Sequence, residues 1–213
     1  FELPNKPYSP WTGQYPLPEK KPQARIIAAP VAFNALGTRT ISYRDGDSPF
    51  LLIATELMEN LTLHKEIREK GGAYGSGASY TPNTGNFHFY SYRDPHVART
   101  VTIFQKALEK IGSGKFNDRE LEEAKLGVLQ VLDSPIPPGN RAMVAFAWKR
   151  AGRTYNLREE FRSKILHATK REISEAVKKH LLDQKGTLVS FLGKDLLKKE
   201  NKKLILPLVA IEI

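Results

Sequence analysis

Arg68 and Tyr74 are the two side chains of this sequence whose surroundings point to contact with a ligand. They stand in the run Ile67-Arg68-Glu69-Lys70-Gly71-Gly72-Ala73-Tyr74-Gly75-Ser76-Gly77, where a cationic helix end is tied to a glycine-rich strand carrying one isolated phenol. At helical spacing Arg68 falls one turn beyond His64 and seven residues beyond Leu61, on the inward stripe, where a guanidinium needs a partner. The plainer use of Arg68, with Lys65 and Lys70, is to complement the helix C-terminal dipole and cap its free carbonyls. In the strand that follows, Ala73, Gly75, Gly77 and Ser79 share one face and Tyr74, Ser76, Ala78 and Tyr80 the other. Glycine weakens a strand and marks the close approach of another backbone or a ligand, so the bare face suits either a bound peptide or a tightly packed helix.

Other chemistries are poorly provided for. Neither H-x-x-E-H nor H-E-x-x-H occurs, and His64, His88, His96, His167 and His180 are scattered singly. His64-Lys65-Glu66 has the wrong separation for zinc ligation, and without cysteine there is neither a thiolate site nor a disulfide, so no zinc site is expected within this chain. There is no G-x-S-x-G elbow. The glycine-rich run at 71–77 looks like a nucleotide loop, but it leaves a helix and enters a strand, whereas phosphate loops run from strand to helix.

Several elements must position Arg68 and Tyr74. Ser48-Pro49 supplies a cap and a proline at the first helical position, and Phe50, Ile53, Leu57, Leu61 and His64 recur at helical spacing, which predicts an amphipathic helix up to Lys70, ended by Gly71-Gly72. Residues 73–81 and 86–93 flank the turn Pro82-Asn83-Thr84-Gly85 and predict an antiparallel hairpin dense in aromatic residues. Upstream, residues 25–29 and 31–43 read as strands or a hairpin. Downstream, Asp94-Pro95 repeats the cap-plus-proline device before a core stripe of Val97, Val101, Phe104, Leu108 and Ile111. Asn117 with Glu120, Asn156 with Glu159, and Thr169 with Glu172 are capping boxes that open three further helices. Another helix is expected over residues 140–150, and residues 187–193 read as a buried strand returning to the sheet. Strands, helix, hairpin, several helices and a last strand predict an α+β two-layer sandwich, a largely antiparallel sheet with helices packed on one face.

A chain of 213 residues, 40% hydrophobic and 26% charged, suits one main core. We expect a domain over residues 25–213, preceded at 1–24 by a proline-rich extended linker segment with prolines at 4, 7, 10, 16, 18 and 22. No apolar run is long enough to span a membrane, and no membrane partner is expected. The chain opens on Phe1 with neither a secretory nor a transit pattern and reads as a piece of something longer. The net charge of +10 is uneven: residues 149–213 hold 16 Lys/Arg against 8 Asp/Glu. Such a face attracts nucleic acid, an anionic membrane or an acidic partner, or is simply a solvated exterior. Trp148-Lys149-Arg150 with Arg153 prompts a basic nucleic-acid-binding module, but these cations sit beside acids and match no recognition motif, so nucleic acid is not the expected partner.

The run at 67–75 resembles the signature of the last domain of presequence proteases, the oligopeptide-degrading branch of the pitrilysin/insulinase superfamily of inverted-motif zinc peptidases. The resemblance extends to Phe89-Tyr90-Ser91-Tyr92-Arg93-Asp94-Pro95, Ser113-Gly114-Lys115-Phe116, Leu121-Glu122-Glu123-Ala124-Lys125 and Asp133-Ser134-Pro135, in the family's order from about residue 30 to 138. It implies the fourth domain of a longer zinc metalloendopeptidase degrading unfolded oligopeptides such as targeting peptides, with zinc and general base in a first domain absent from this chain. The partner would be the N-terminal half of the same enzyme, closing around the peptide as a clamshell, and this chain alone would be inactive. By the match, Arg68 would hold a backbone carbonyl of the bound peptide and the Tyr74 hydroxyl would donate to the oxygen that becomes the tetrahedral oxyanion. A non-catalytic subunit of the same superfamily, of the processing-peptidase or respiratory-core type, is the alternative. The compartment implied is the cytoplasm for a bacterial source and the mitochondrial matrix or plastid for a eukaryotic one.

Overall fold

The computed structural model describes residues 21–212, so the expected linker at 1–24 falls almost wholly outside the described residues. Six strands form one sheet: β1 (Gln23–Ile26), β2 (Ala32–Arg39), β3 (Gly75–Thr81), β4 (Asn86–Asp94), β5 (Thr187–Leu192) and β6 (Val209–Glu212), in the order β3-β4-β2-β5-β1-β6. The pairs β3/β4, β4/β2 and β2/β5 are antiparallel, while β1 lies parallel to both β5 and β6. The hairpin alternative for the first two strands is thereby corrected: β5 fills the slot between them. Its Leu188 and Leu192 are buried there, and the Ser190 hydroxyl donates to Asn34 Oδ1 at 2.7 Å.

The helices are α1 (Ser48–Met58), which continues as a π-helical segment (Glu59–Glu69), α2 (Ala98–Gly112), α3 (Asp118–Leu132), α4 (Arg141–Arg150), α5 (Tyr155–His167), α6 (Lys170–Val177) and α7 (Lys194–Asn201). Leu51, Ile53, Leu57 and Met58 of α1, Phe104 and Ile111 of α2, Ile165 of α5 and Ile173 of α6 pack with Ala78, Tyr80, Phe87 and Phe89 of the β3–β4 hairpin in the main core. A smaller cluster joins Ala24, Ala32, Leu188 and Leu192 to Val97 and Leu197. Alternation along the strands sends a second set of side chains to the opposite face. There Phe33 stands opposite Phe191 across β2/β5, and with Tyr92 they are 38–39% exposed. The two-layer α+β arrangement, helices on one face, is as the sequence predicts.

Three helix starts differ from expectation. Ser48 does not cap α1: the cap position is Asp47, and Ser48, already inside the helix and buried, shares a hydrogen bond with Tyr80 Oη at 2.8 Å. Asp94 does not cap α2, which begins at Ala98. It is buried instead and accepts from Thr100 Oγ1 at 2.6 Å, Ser91 Oγ at 2.7 Å and the His96 amide at 2.8 Å. The amides that open α2 are capped from α7, where Glu200 Oε2 accepts from Val97 N at 2.8 Å and Ala98 N at 3.0 Å. A carboxylate at that position meets both the orphan donors and the positive end of the helix dipole. The boxes at Asn117/Glu120 and Thr169/Glu172 form, but the one at Asn156/Glu159 does not. Thr154, two residues earlier, is the cap of α5 and accepts from Leu157 N at 3.3 Å.

Candidate functional site

Arg68 lies on the π-helical segment, and that geometry changes its direction. Bonding from residue i to i−5 turns each residue through a smaller angle than an α-helix does, so the side facing the core shifts. Thr62, Leu63 and Ile67 are buried, while His64 and Arg68 are exposed. The inward stripe expected for Arg68 is therefore corrected: it shares a face with His64, as predicted, but that face is the outer one. Its capping role is taken by another cation. Arg99 of α2 donates to the carbonyls of Glu66 and Lys70 at the segment's end, each at 3.3 Å. Arg68 Nη1 donates to His64 Nε2 at 2.8 Å. A guanidinium can only donate, so the imidazole proton sits on Nδ1, 3.3 Å from Glu69 Oε1.

Gly71 and Gly72 turn the chain out of this segment. A Cβ on Gly71 would lie 3.0 Å from the Glu66 carbonyl oxygen, and Gly72 has φ +78°. The Tyr74 amide donates to the Tyr92 carbonyl at 3.2 Å, which ties Tyr74 to the end of β4 while its side chain remains 65% exposed. Tyr74 and Tyr92 rings meet at 5.5 Å between centroids, tilted by 51°.

Among the described residues, the glycine face of β3 holds neither a helix nor an open groove. Gly75 and Gly77 stand opposite Tyr92 and Tyr90 in the antiparallel register, and those rings lie across them. A Cβ at Gly77 would come within 2.6 Å of Tyr90 Oη and also meet the Glu59 carboxylate, whose Oε1 accepts from the Ala78 amide at 2.9 Å. Burial pushes Glu59 above its ordinary value, opposed by that amide and assisted by the charge of Glu56. The glycines thus make room for a tyrosine row that supports Tyr74.

Arg68 and Tyr74 are brought together in one open cleft of roughly 740 Å³, which His64, Glu69 and Arg93 also line. Arg93 is the residue that sequence reasoning passed over. It stands in the aromatic block 89–95 whose likeness to the family was noted, and nothing in strand alternation hints at its direction.

Among the described residues one trio has the groups to be considered for a metal ion. Asp45, Asp47 and His180 gather their ligand atoms within 4.8 Å of one another. Asp47 Oδ2 accepts from Lys179 Nζ at 2.9 Å and meets His180 Nε2 at 2.8 Å, and Asp45 Oδ1 accepts the Asp47 amide at 2.9 Å. An ammonium on the central oxygen does the work a cation would do, so this trio does not fit zinc.

The basic third of the chain is used partly inside the fold. Arg153 stacks on the Tyr43 ring at 3.8 Å and Arg158 on the Trp148 ring at 3.9 Å, while Lys170, Arg171, Lys198 and Lys199 are exposed to solvent. No helix of the described residues is long and apolar enough to cross a membrane.

A one-sided sheet of this topology defines the class: the fold is that of the inactive domains of M16 peptidases. The M16 inactive domain from Pseudomonas fluorescens superposes with a TM-score of 0.67 at 18% identity, over 87% of this chain and 47% of that one. The inactive peptidase domain of a proposed zinc protease from Bordetella parapertussis gives 0.65 at 17%, over 75% of this chain and 91% of that one. Within that class the chain belongs to the family of PreP C-terminal domains, whose model matches residues 25–186. It is similar to the mitochondrial presequence proteases of Yarrowia lipolytica, 33% identical over 95% of this chain and 20% of that protein, and of Mus musculus, 36% identical over 84% and 16%. The chain thus spans about a fifth of the length of these curated relatives.

Proposed function

We propose that this chain is the C-terminal part of a zinc metalloendopeptidase that degrades unfolded oligopeptides, targeting peptides among them, and that it faces the zinc-bearing half across the substrate. The observation that carries this is the shared cleft of Arg68 and Tyr74, at the edge of a sheet face that no helix of the described residues covers. Zinc, held by residues outside this chain, would supply the Lewis acid and the activated water. The residues present here bind and orient. Arg68, steadied by His64 at 2.8 Å, donates to a backbone carbonyl of the peptide. The Tyr74 hydroxyl, on a ring braced by Tyr92, donates to the carbonyl oxygen as it gains charge, a contribution of about 2.7–4 kcal/mol for one preorganised donor. The Phe33, Phe191 and Tyr92 side chains offer apolar contact to an extended chain. Relatives named as mitochondrial favour the mitochondrial matrix for a eukaryotic source.

The test is hydrolysis of a quenched fluorescent peptide by this chain, by the preceding portion of the same protein, and by the two mixed with zinc. Activity confined to the mixture, and sharply reduced by Tyr74→Phe, supports the reading. No activity in any combination favours the non-catalytic subunit.

A further inference from the structure

We propose that Arg93 is a specificity-determining residue of this cleft that takes a carboxylate of the bound peptide, an inference that rests on the reading that the peptide passes Arg68 and Tyr74. The backbone supplies the first argument. Asn34 pairs with Ser91 and Ala32 with Asp94, so Phe33 alone on β2 faces both Tyr92 and Arg93 on β4. This is a β-bulge, a device that re-aims side chains beside sites. Unbroken alternation would send Arg93 to the helix-covered face with Phe87, Phe89 and Ser91; the extra residue turns Asp94 inward instead and leaves Arg93 exposed in the cleft. Arg93 has φ 49° and is the one non-glycine residue at positive φ among the described residues. A side chain with a Cβ is disfavoured there, and nothing in the turn itself demands an arginine.

The second argument is the partnership of the charges. Arg68 and Glu69 are both engaged with His64. The Arg93 guanidinium lies 5.8 Å from the centroid of the Tyr74 ring, and among the described residues it makes no hydrogen bond or ion pair. Among the described residues it is the cleft cation held only against a ring, with its donors unpaired, next to the group that would face the scissile carbonyl. A guanidinium fork in that position receives a carboxylate in bidentate fashion and repels a lysine or arginine side chain. The carboxylate comes from an acidic side chain near the cleaved bond or from the peptide's own C-terminus; the chemistry is the same.

The experiment uses the full-length enzyme and quenched fluorescent peptides of one sequence, with Glu or Gln placed in turn at each position flanking the cleaved bond, and with the C-terminus as free acid or amide. At one position Glu should raise kcat/KM about twofold to fivefold over Gln, the range of a partly exposed ion pair, or the free acid should do so over the amide. Arg93→Gly suits the left-handed backbone, keeps the bulge and should bring that ratio to about one; Arg93→Lys should restore part of it. No preference for either carboxylate in the parent enzyme, or a preference that survives Arg93→Gly, overturns the inference. Tyr74→Phe reads the underlying assignment separately. If it leaves kcat intact with every peptide, the substrate does not pass this cleft; if it lowers kcat while Arg93→Gly keeps the preference, only the role of Arg93 fails.

Discussion

Gly75 has no side chain because the Tyr92 ring occupies that space: a Cβ there would sit 2.6 Å from Tyr92 Oη. Gly75→Ala should therefore lift the Tyr92 ring and, with it, the Tyr74 ring that leans on it at 5.5 Å. Overpacking of this kind costs about 1–3 kcal/mol of stability. A fall in kcat of the assembled enzyme larger than the loss of stability can explain, read beside thermal melts, would show that the glycine positions Tyr74.

Tyr74→Phe removes one hydroxyl from a largely exposed ring, so folding should be unchanged within about 0.5 kcal/mol. In the assembled enzyme kcat should fall about 10²- to 10³-fold with KM little altered, the signature of a donor used in the transition state alone. Steady-state kinetics with a single quenched peptide decide it.

Asp94 gathers Thr100, Ser91 and the His96 amide inside the fold, and Asn34 Nδ2 lies 3.4 Å from its Oδ2. Asp94→Ala strands these donors, and each buried group left unpaired costs about 1–3 kcal/mol. A loss of several kcal/mol in chemical denaturation is expected, with Arg93 also released, since the same bulge orients both.

Glu200 links α7 to the start of α2. Burial would push its carboxyl up, but Lys203 and the amides of Val97 and Ala98 outweigh this and hold it below its ordinary value of 4.5. A depressed carboxyl stabilises the fold above its unfolded value, and the stabilisation fades as pH falls through the folded one. Glu200→Gln should cost about 1–3 kcal/mol at pH 7. The gap between parent and variant should close on acidification below about pH 4.5, measured by urea unfolding at a series of pH values.

Where local signals agree, the sequence reads directly. Ser48-Pro49 and Gly71-Gly72 bound one continuous helical run, and the aromatic alternation of residues 86–92 forms the strand it predicts. Asn117 and Thr169 cap where expected because each has its glutamate three residues on with no competitor. At α5 two acceptors, Thr154 and Asn156, lie two residues apart, and pattern does not rank them. Residues 194–201, short, charged and opened by a glycine, and residues 209–212 beyond Pro207 gave no signal of α7 or β6; both are held by tertiary partners, Glu200 on α2 and β6 on β1. The candidate site was half legible. Arg68 and Tyr74 stood out by type and by likeness, but the outward turn of Arg68 needs the π-helical ladder, and the cleft position of Arg93 needs a bulge set by long-range pairing with β2.

The placement of β1 also sets an order of events during synthesis. Gln23–Ile26 has both its edges taken by strands from the other end of the chain, β5 at 187–192 and β6 at 209–212. As a ribosome extends the polypeptide, the β3–β4 hairpin, β2 and the helices that cover them can dock first, because their contacts are closer in sequence. Residues 23–26 must wait unpaired until more than 160 further residues have emerged. The half of the sheet bearing Arg93, with the helical segment and turn that carry Arg68 and Tyr74, can thus consolidate before the far edge closes, and a pause late in translation would leave the cleft formed beside an open strand.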